Sequence, residues 1–186
     1  MFLLYFLKDM LQLILSPVKG WEDVSYDGFD SHKMFTKGFL PLISFCALTV
    51  FCKWFYHDDA SAVVLFQQAI VCFLKYFAGY YLAMFCFSLY MPVCTDSHVS
   101  LGKCATFVIY SLSLLTFVNI LQNCAPLDMA VLYLMPLYVF YIMWRSIRYM
   151  SVSFNGVATF LCLCFFSIIV PPYLIQFLFN LVLAEY

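Results

Sequence analysis

The sequence predicts an all-α integral membrane protein: five transmembrane helices preceded by an N-terminal interfacial amphipathic helix, N-terminus inside and C-terminus outside. Three observations carry this. The 186 residues are 66% hydrophobic and only 10% charged, with a mean hydropathy of +0.95. A soluble domain carries roughly 25% charged residues, so this chain has too little polar surface to cover a globule in water. Five apolar stretches each approach or exceed the roughly 20 residues that a span requires, and short polar joints separate them. Finally, lysine and arginine gather on alternate joints. In lipid every backbone donor and acceptor must be satisfied within its own segment, so the spans are helices.

The first element is the opening MFLLYFLKDMLQLIL. As a helix, residues 2–15 reach only about 21 Å, short of a hydrocarbon core of about 30 Å. Their polar positions, Tyr5, Lys8, Asp9, Gln12 and Ser16, recur at three or four residues and form one narrow stripe. Such a helix lies in the interface or packs beneath the bundle. A further span and an uncleaved anchor are the alternatives. The basic leader and small-residue cleavage site of a secretory signal are missing from it, so the mature chain is expected to keep Met1. The helix should stop before Pro17, because a residue preceding proline is pushed out of the helical region. Gly20 then permits a turn, and Trp21 is the interfacial anchor at headgroup depth.

The spans follow at 38–56, 62–91, 103–123, 127–144 and 156–184. The joints between them are HDDAS at 57–61, PVCTDSHVSLG at 92–102, CAP at 124–126 and RSIRYMSVSFN at 145–155. Short joints predict antiparallel neighbours. With the N-terminus inside, Lys8, Lys19, Lys33, Lys37, Lys103, Arg145 and Arg148 all lie on inner segments, whereas the outer joints and tail carry no lysine or arginine. The two remaining cations, Lys53 and Lys75, fall within spans. This asymmetry sets the orientation. The organisation is therefore a cytoplasmic segment, 1–37, and a transmembrane bundle, 38–186.

Composition also bounds the chemistry. A net charge of −1 without a basic tail gives no basis for nucleic-acid binding. The nine cysteines are scattered through apolar runs, where a free thiol packs as a small hydrophobe, and they form no disulfide framework. Cys162 and Cys164 have no histidine or acid beside them, so packing thiols are favoured over a metal site. His32, His57 and His98 fall in different joints and cannot converge. His57-Asp58-Asp59 is read as a solvated loop tip. No nucleophile elbow, zinc-binding helix motif, phosphate loop or carboxylate pair is present. No catalytic residue, metal or cofactor is expected.

Lys75 is the most informative single residue. It lies near the middle of the second span, where an ionisable group is costly and turns toward protein or water. Cys72, Lys75, Gly79, Ala83 and Cys86 share one helical face, and Gly79-x-x-x-Ala83 permits close helix approach. The third span presents Ser113, Thr116, Asn119 and Asn123 on one stripe. The fifth presents Pro171-Pro172, which free carbonyls one turn earlier, with Gln176 and Asn180 beyond. Lys75, Ser113, Thr116, Asn119 and Gln176 are thus the candidate intramembrane polar site. Two readings stay open: a polar cavity beside an interrupted helix, or a snorkelling lysine with amides that bind helices together. Lys53, near the outer end of its span, is read as snorkelling. Arg145 and Arg148, three residues apart after the fourth span, suit anionic headgroups at about 1 kcal/mol each.

Certain motifs carry a family resemblance. SPVKGW (Ser16–Trp21) gives an apolar helix, a proline and then a tryptophan. KGFLPLISF puts Pro41 early in the first span, and SLGKCATFVIYSLSL puts Tyr110 and Ser111 in the third. With five spans and an inner N-terminus, the chain resembles the bacterial-type branch of the Yip family, named for the Ypt/Rab-interacting proteins. The resemblance implies an integral membrane protein of a bacterial inner membrane that organises or partners other proteins in the bilayer, or associates with itself. The long polar extension of the eukaryotic members is replaced by about twenty-two residues between Ser16 and Gly38. Their Asp-Leu-Tyr-Gly-Pro step at the first span and their Gly-Tyr pair in the third are absent here, so a Rab-type GTPase partner does not carry over. A small transporter, channel or lipid-moving protein built around Lys75 is the alternative.

Overall fold

A computed structural model describes residues 2–28, 30–55, 61–95, 99–124 and 130–184, and these are helical with short connections. Helices α1 (Phe2–Leu15) and α2 (Pro17–Asp27) form a bent pair at one end of the bundle. Then come α3 (Ser31–Phe55), α4 (Ala62–Cys94), α5 (Leu101–Cys124) and α6 (Ala130–Arg145). The last helix, α7, enters through Phe154–Gly156 and ends with the segment Val170–Ala184.

Four of these, α3, α4, α5 and α7, are long and apolar enough to cross a membrane. The expected fourth span, 127–144, is not among these four. Residues 127–129 lie outside the described residues, and α6 has 16 residues, about 24 Å of helix. The helix that carries the expected first span begins at Ser31, ahead of residue 38. Its polar entry is helical because the Asp30 carboxylate accepts from the His32 amide at 3.2 Å, an N-cap that satisfies an otherwise orphaned donor.

The entry segment differs from expectation in a second way. Helix α1 does stop at Leu15, before Pro17, but no turn follows at Gly20. Pro17 opens α2 at its first position, where its fixed φ suits a helix and its missing donor costs nothing. The break falls at Ser16 (φ −147°, ψ 82°). Gly20 instead lets α2 press on α1: an added Cβ would stand 2.8 Å from the Leu13 Cα. Gly28, at φ +53°, closes α2 in the left-handed conformation that glycine adopts without strain.

Helices α3 and α7 run on without interruption through Pro41 and Pro171-Pro172. In α3 a π-helical turn, Phe35–Phe39, precedes Pro41, and in α7 another, Phe165–Ile169, precedes Pro171 and Pro172. A proline ring collides with the carbonyl four residues back, and a widened turn just upstream makes room for it. The expected interruption of the last span is therefore a π turn within a continuous helix.

Helix α5 is the axis of the bundle. In its most apolar stretch 78% of residues are buried, against 39% for α3, α4 and α7. Its aromatic centre, Phe107, meets Phe87 of α4 at 5.5 Å and Phe160 of α7 at 5.7 Å between ring centroids. Helices α4 and α7 run side by side, from the Cys94 carbonyl that accepts the Ser153 amide to Gly79 against Pro172. One end gathers α1, α2, Gly28, Asp30, Ser31, Thr95, Ser100 and the segment 145–153, and both Arg145 and Arg148 are exposed there.

Candidate functional site

The face of α4 read from the sequence is buried in the bundle. Cys72, Lys75, Gly79 and Ala83 are buried and Cys86 is half-buried. Lys75 is 6% exposed. Its ammonium donates to Gln176 Oε1 at 3.1 Å and stands 5.1 Å from the Tyr76 ring centroid. Gln176 Nε2 in turn donates to Asn180 Oδ1 at 3.3 Å. This links a lysine of α4 to two amides one turn apart on α7. An ammonium has three donors, and a carbonyl oxygen plus a ring face give it partial compensation for leaving water.

The other members of the candidate site are placed differently. Ser113 Oγ donates to the Ile109 carbonyl at 2.7 Å and Thr116 Oγ1 to the Leu112 carbonyl at 2.8 Å. Both hydroxyls are thus satisfied by their own helix, a common arrangement for buried serine and threonine. Asn119 looks to α3 and α4. Its Oδ1 lies 3.5 Å from both the Cys46 and the Cys72 sulfurs, which are 3.5 Å from each other. Asn123 Nδ2 donates to Thr49 Oγ1 at 3.2 Å and to Asn119 Oδ1 at 3.4 Å, and Thr49 Oγ1 donates to the Cys46 carbonyl at 2.7 Å. Lys53 reaches Gln68 Oε1 at 3.4 Å. The structure therefore joins Lys75 with Gln176, places Asn119 in a second polar cluster, and leaves Ser113 and Thr116 turned back on α5. Ser111 Oγ is buried with no hydrogen-bond partner among the described residues.

Cys46 was legible only as one packing thiol among many. Its meeting with Cys72 depends on the register between α3 and α4, which no local pattern encodes.

A third polar site lies where α1 and α2 meet the bundle. Trp21 is 2% exposed, so it is enclosed by protein and does not lie on an open surface as expected of a headgroup anchor. Its indole stacks on Tyr149 at 5.2 Å, leans on Phe107 at 5.3 Å, and donates from Nε1 to the Ile142 carbonyl at 3.0 Å. Asp9, part of the polar stripe of α1, is buried and accepts from the Tyr110 hydroxyl at 2.9 Å. Phe6 stacks on the same tyrosine at 5.1 Å, and the Tyr138 hydroxyl donates to the Ile14 carbonyl at 2.6 Å. The bent pair is thus fastened to α5, α6 and the segment 145–153. Beside it opens a cleft of about 490 Å³, bordered by Asp30, Ser100, Lys103, Thr106 and Tyr149. Burial, reinforced by the Cys104 thiol, pushes the Tyr149 phenol up to about 12, and the Lys103 ammonium sits 4.9 Å from its ring centroid.

No group of three or more histidine, cysteine or acidic residues placed to hold a metal occurs among the described residues. His57, Asp58, Asp59, His98 and Asp128 lie outside them. Comparison with protein-family models, curated proteins and solved structures found no match.

Proposed function

We propose that this chain is a Yip-like multi-pass membrane protein with a non-catalytic role, holding partner proteins, or further copies of itself, in the bilayer. The observation that supports this reading most is how the buried polar groups are used. Lys75 is engaged by Gln176, Asn119 by two thiols and Asn123, Ser113 and Thr116 by their own helix, and Asp9 by Tyr110. The ties of Lys75, Asn119 and Asp9 cross between helices and fasten them to one another, whereas those of Ser113 and Thr116 stay within α5. The outward surface is broad and apolar, with Phe85, Leu89, Phe166 and Phe177 exposed on α4 and α7.

In this proposal α6 serves as the short member of five spans, the end carrying α1, α2, Arg145 and Arg148 faces the cytoplasm, and the membrane is a bacterial inner membrane. Arg145 and Arg148 would meet anionic headgroups there. Purification in mild detergent, followed by light scattering and mass spectrometry, tests the role. Co-purification of a membrane protein or a stable oligomer supports it, and a lone monomer counts against it.

One observation favours a second reading, a small transporter or lipid-moving protein. The run from Lys75 through Gln176 ends at Asn180, which is exposed, so the buried cation connects to the bundle surface through amides. Lys75→Met discriminates: transport or lipid scrambling that depends on this run is lost in proteoliposomes of the variant.

A further inference from the structure

We propose that Cys46 and Cys72, with the Asn119 amide oxygen beside them, form an intramembrane site for a soft monovalent cation of the copper(I) or silver(I) class. The two sulfurs come from different helices, α3 and α4, and stand 3.5 Å apart. Both residues are almost fully enclosed, at 0% and 3% exposure. Two oxygens complete the surroundings: Asn119 Oδ1 at 3.5 Å from each sulfur, and the Thr116 carbonyl at 3.7 Å from Cys46 Sγ.

The donor set selects the ion. Thiolates prefer soft, polarisable metals, copper(I) first among those available to cells. Structural zinc asks for four sulfur or nitrogen ligands in a tetrahedron, and this site offers two sulfurs and two neutral oxygens. Magnesium and calcium take oxygen ligands alone. A low-coordinate soft cation needs only the sulfur pair. At a metal–sulfur distance near the roughly 2.3 Å of a zinc–thiolate bond, a linear bridge sets the two sulfurs about 4.6 Å apart, an opening of roughly 1 Å.

Charge balance supplies the second argument. Binding exchanges two thiol protons for one cation, M⁺ + 2 RSH → [M(SR)₂]⁻ + 2 H⁺, and no electron is transferred. The product bears one negative charge within a span, which is costly if left alone. Lys75 follows Cys72 by three residues on the same buried face of α4, one helical turn away. Its ammonium offsets that charge. This gives a buried lysine, bonded to no carboxylate among the described residues, a role beyond its bond to Gln176.

The test uses the full-length protein in detergent under anaerobic, reducing conditions, titrated with copper(I) against a chromogenic copper(I) chelator. Membrane-permeant maleimide labelling, read by peptide mass spectrometry, reports which thiols the metal covers. The expected result is one tightly held ion that protects Cys46 and Cys72 together. Cys46→Ser should lose that ion and leave Cys72 unprotected, Cys72→Ser should do the converse, and Cys162→Ser should change neither. A melting curve for each serine variant without metal shows that the fold is kept. Copper(I) protection of Cys72 that survives Cys46→Ser overturns the proposal. So does recovery of a Cys46–Cys72 disulfide that, once reduced, takes up no metal.

Discussion

The Lys75 ammonium and the Gln176 side-chain carbonyl meet at 3.1 Å across the seam between α4 and α7. Four residues toward the other end of the same seam, Gly79 rests on Pro172 at ordinary contact distance. A polar tie and a close apolar contact thus succeed each other along two neighbouring helices. If the tie is structural, Lys75→Met removes a buried charge and leaves one amide oxygen without its donor. Such a change costs about 1 kcal/mol, and exchange of a buried ion for an apolar group is often close to neutral. The expected outcome is a melting temperature in detergent within a few degrees of the parent chain, with self-association or partner recovery unchanged.

Trp21 should be the most sensitive residue of the N-terminal pair. Truncation to alanine empties a site bounded by Phe107, Tyr110 and Tyr149 and removes the bond to the Ile142 carbonyl. A loss of about 3–5 kcal/mol is typical of such a change. Hydrogen exchange should speed up in α1 and α2 while α4 and α7 keep their protection.

Tyr110→Phe tests the burial of Asp9 separately. The ring, and with it the stacking on Phe6, is retained, but the carboxylate loses a donor at 2.9 Å. Removing one partner of a buried polar pair costs about 1–3 kcal/mol, more when the remaining group is charged. Limited proteolysis should then cut between α1 and α2 sooner than in the parent chain.

Two glycines should behave in opposite ways. At Gly156 an added Cβ would fall 2.3 Å from the Cys94 carbonyl oxygen and 2.9 Å from the Cys94 Cα, so backbone must move. At Gly79 the nearest atom is Pro172 Cγ at 3.6 Å. Gly156→Ala is expected to destabilise by about 1–3 kcal/mol or more, as overpacking does, and Gly79→Ala to be tolerated. Thermal unfolding in detergent separates the two.

Much of this architecture was legible in the sequence. The apolar runs located α3, α4, α5 and α7 because a bilayer imposes a length and an internally bonded backbone on each. The buried face of α4 followed from spacing, whereas the meeting of Lys75 with Gln176 depends on α4 packing beside α7, which no local pattern encodes. Other features were hidden. Pro17 signalled the end of α1 equally well as the start of α2, and only packing against Leu13 and Phe107 decided for a second helix. Asp9 and Trp21 looked interfacial because residue type reports polarity, whereas their burial depends on Tyr110 and Ile142, about a hundred residues away. Cys72 was placed on the Lys75 face, but Cys46 was indistinguishable from the other thiols until α3 and α4 were placed side by side.

The central claim is that this bundle acts by holding other protein against its apolar surface. Photo-crosslinking in native membranes from Phe85 on α4 and Phe177 on α7, both exposed, tests it most directly. The account predicts discrete adducts of increased mass that contain a second polypeptide, either a partner or another copy of the chain. Adducts with lipid alone at both positions would contradict it.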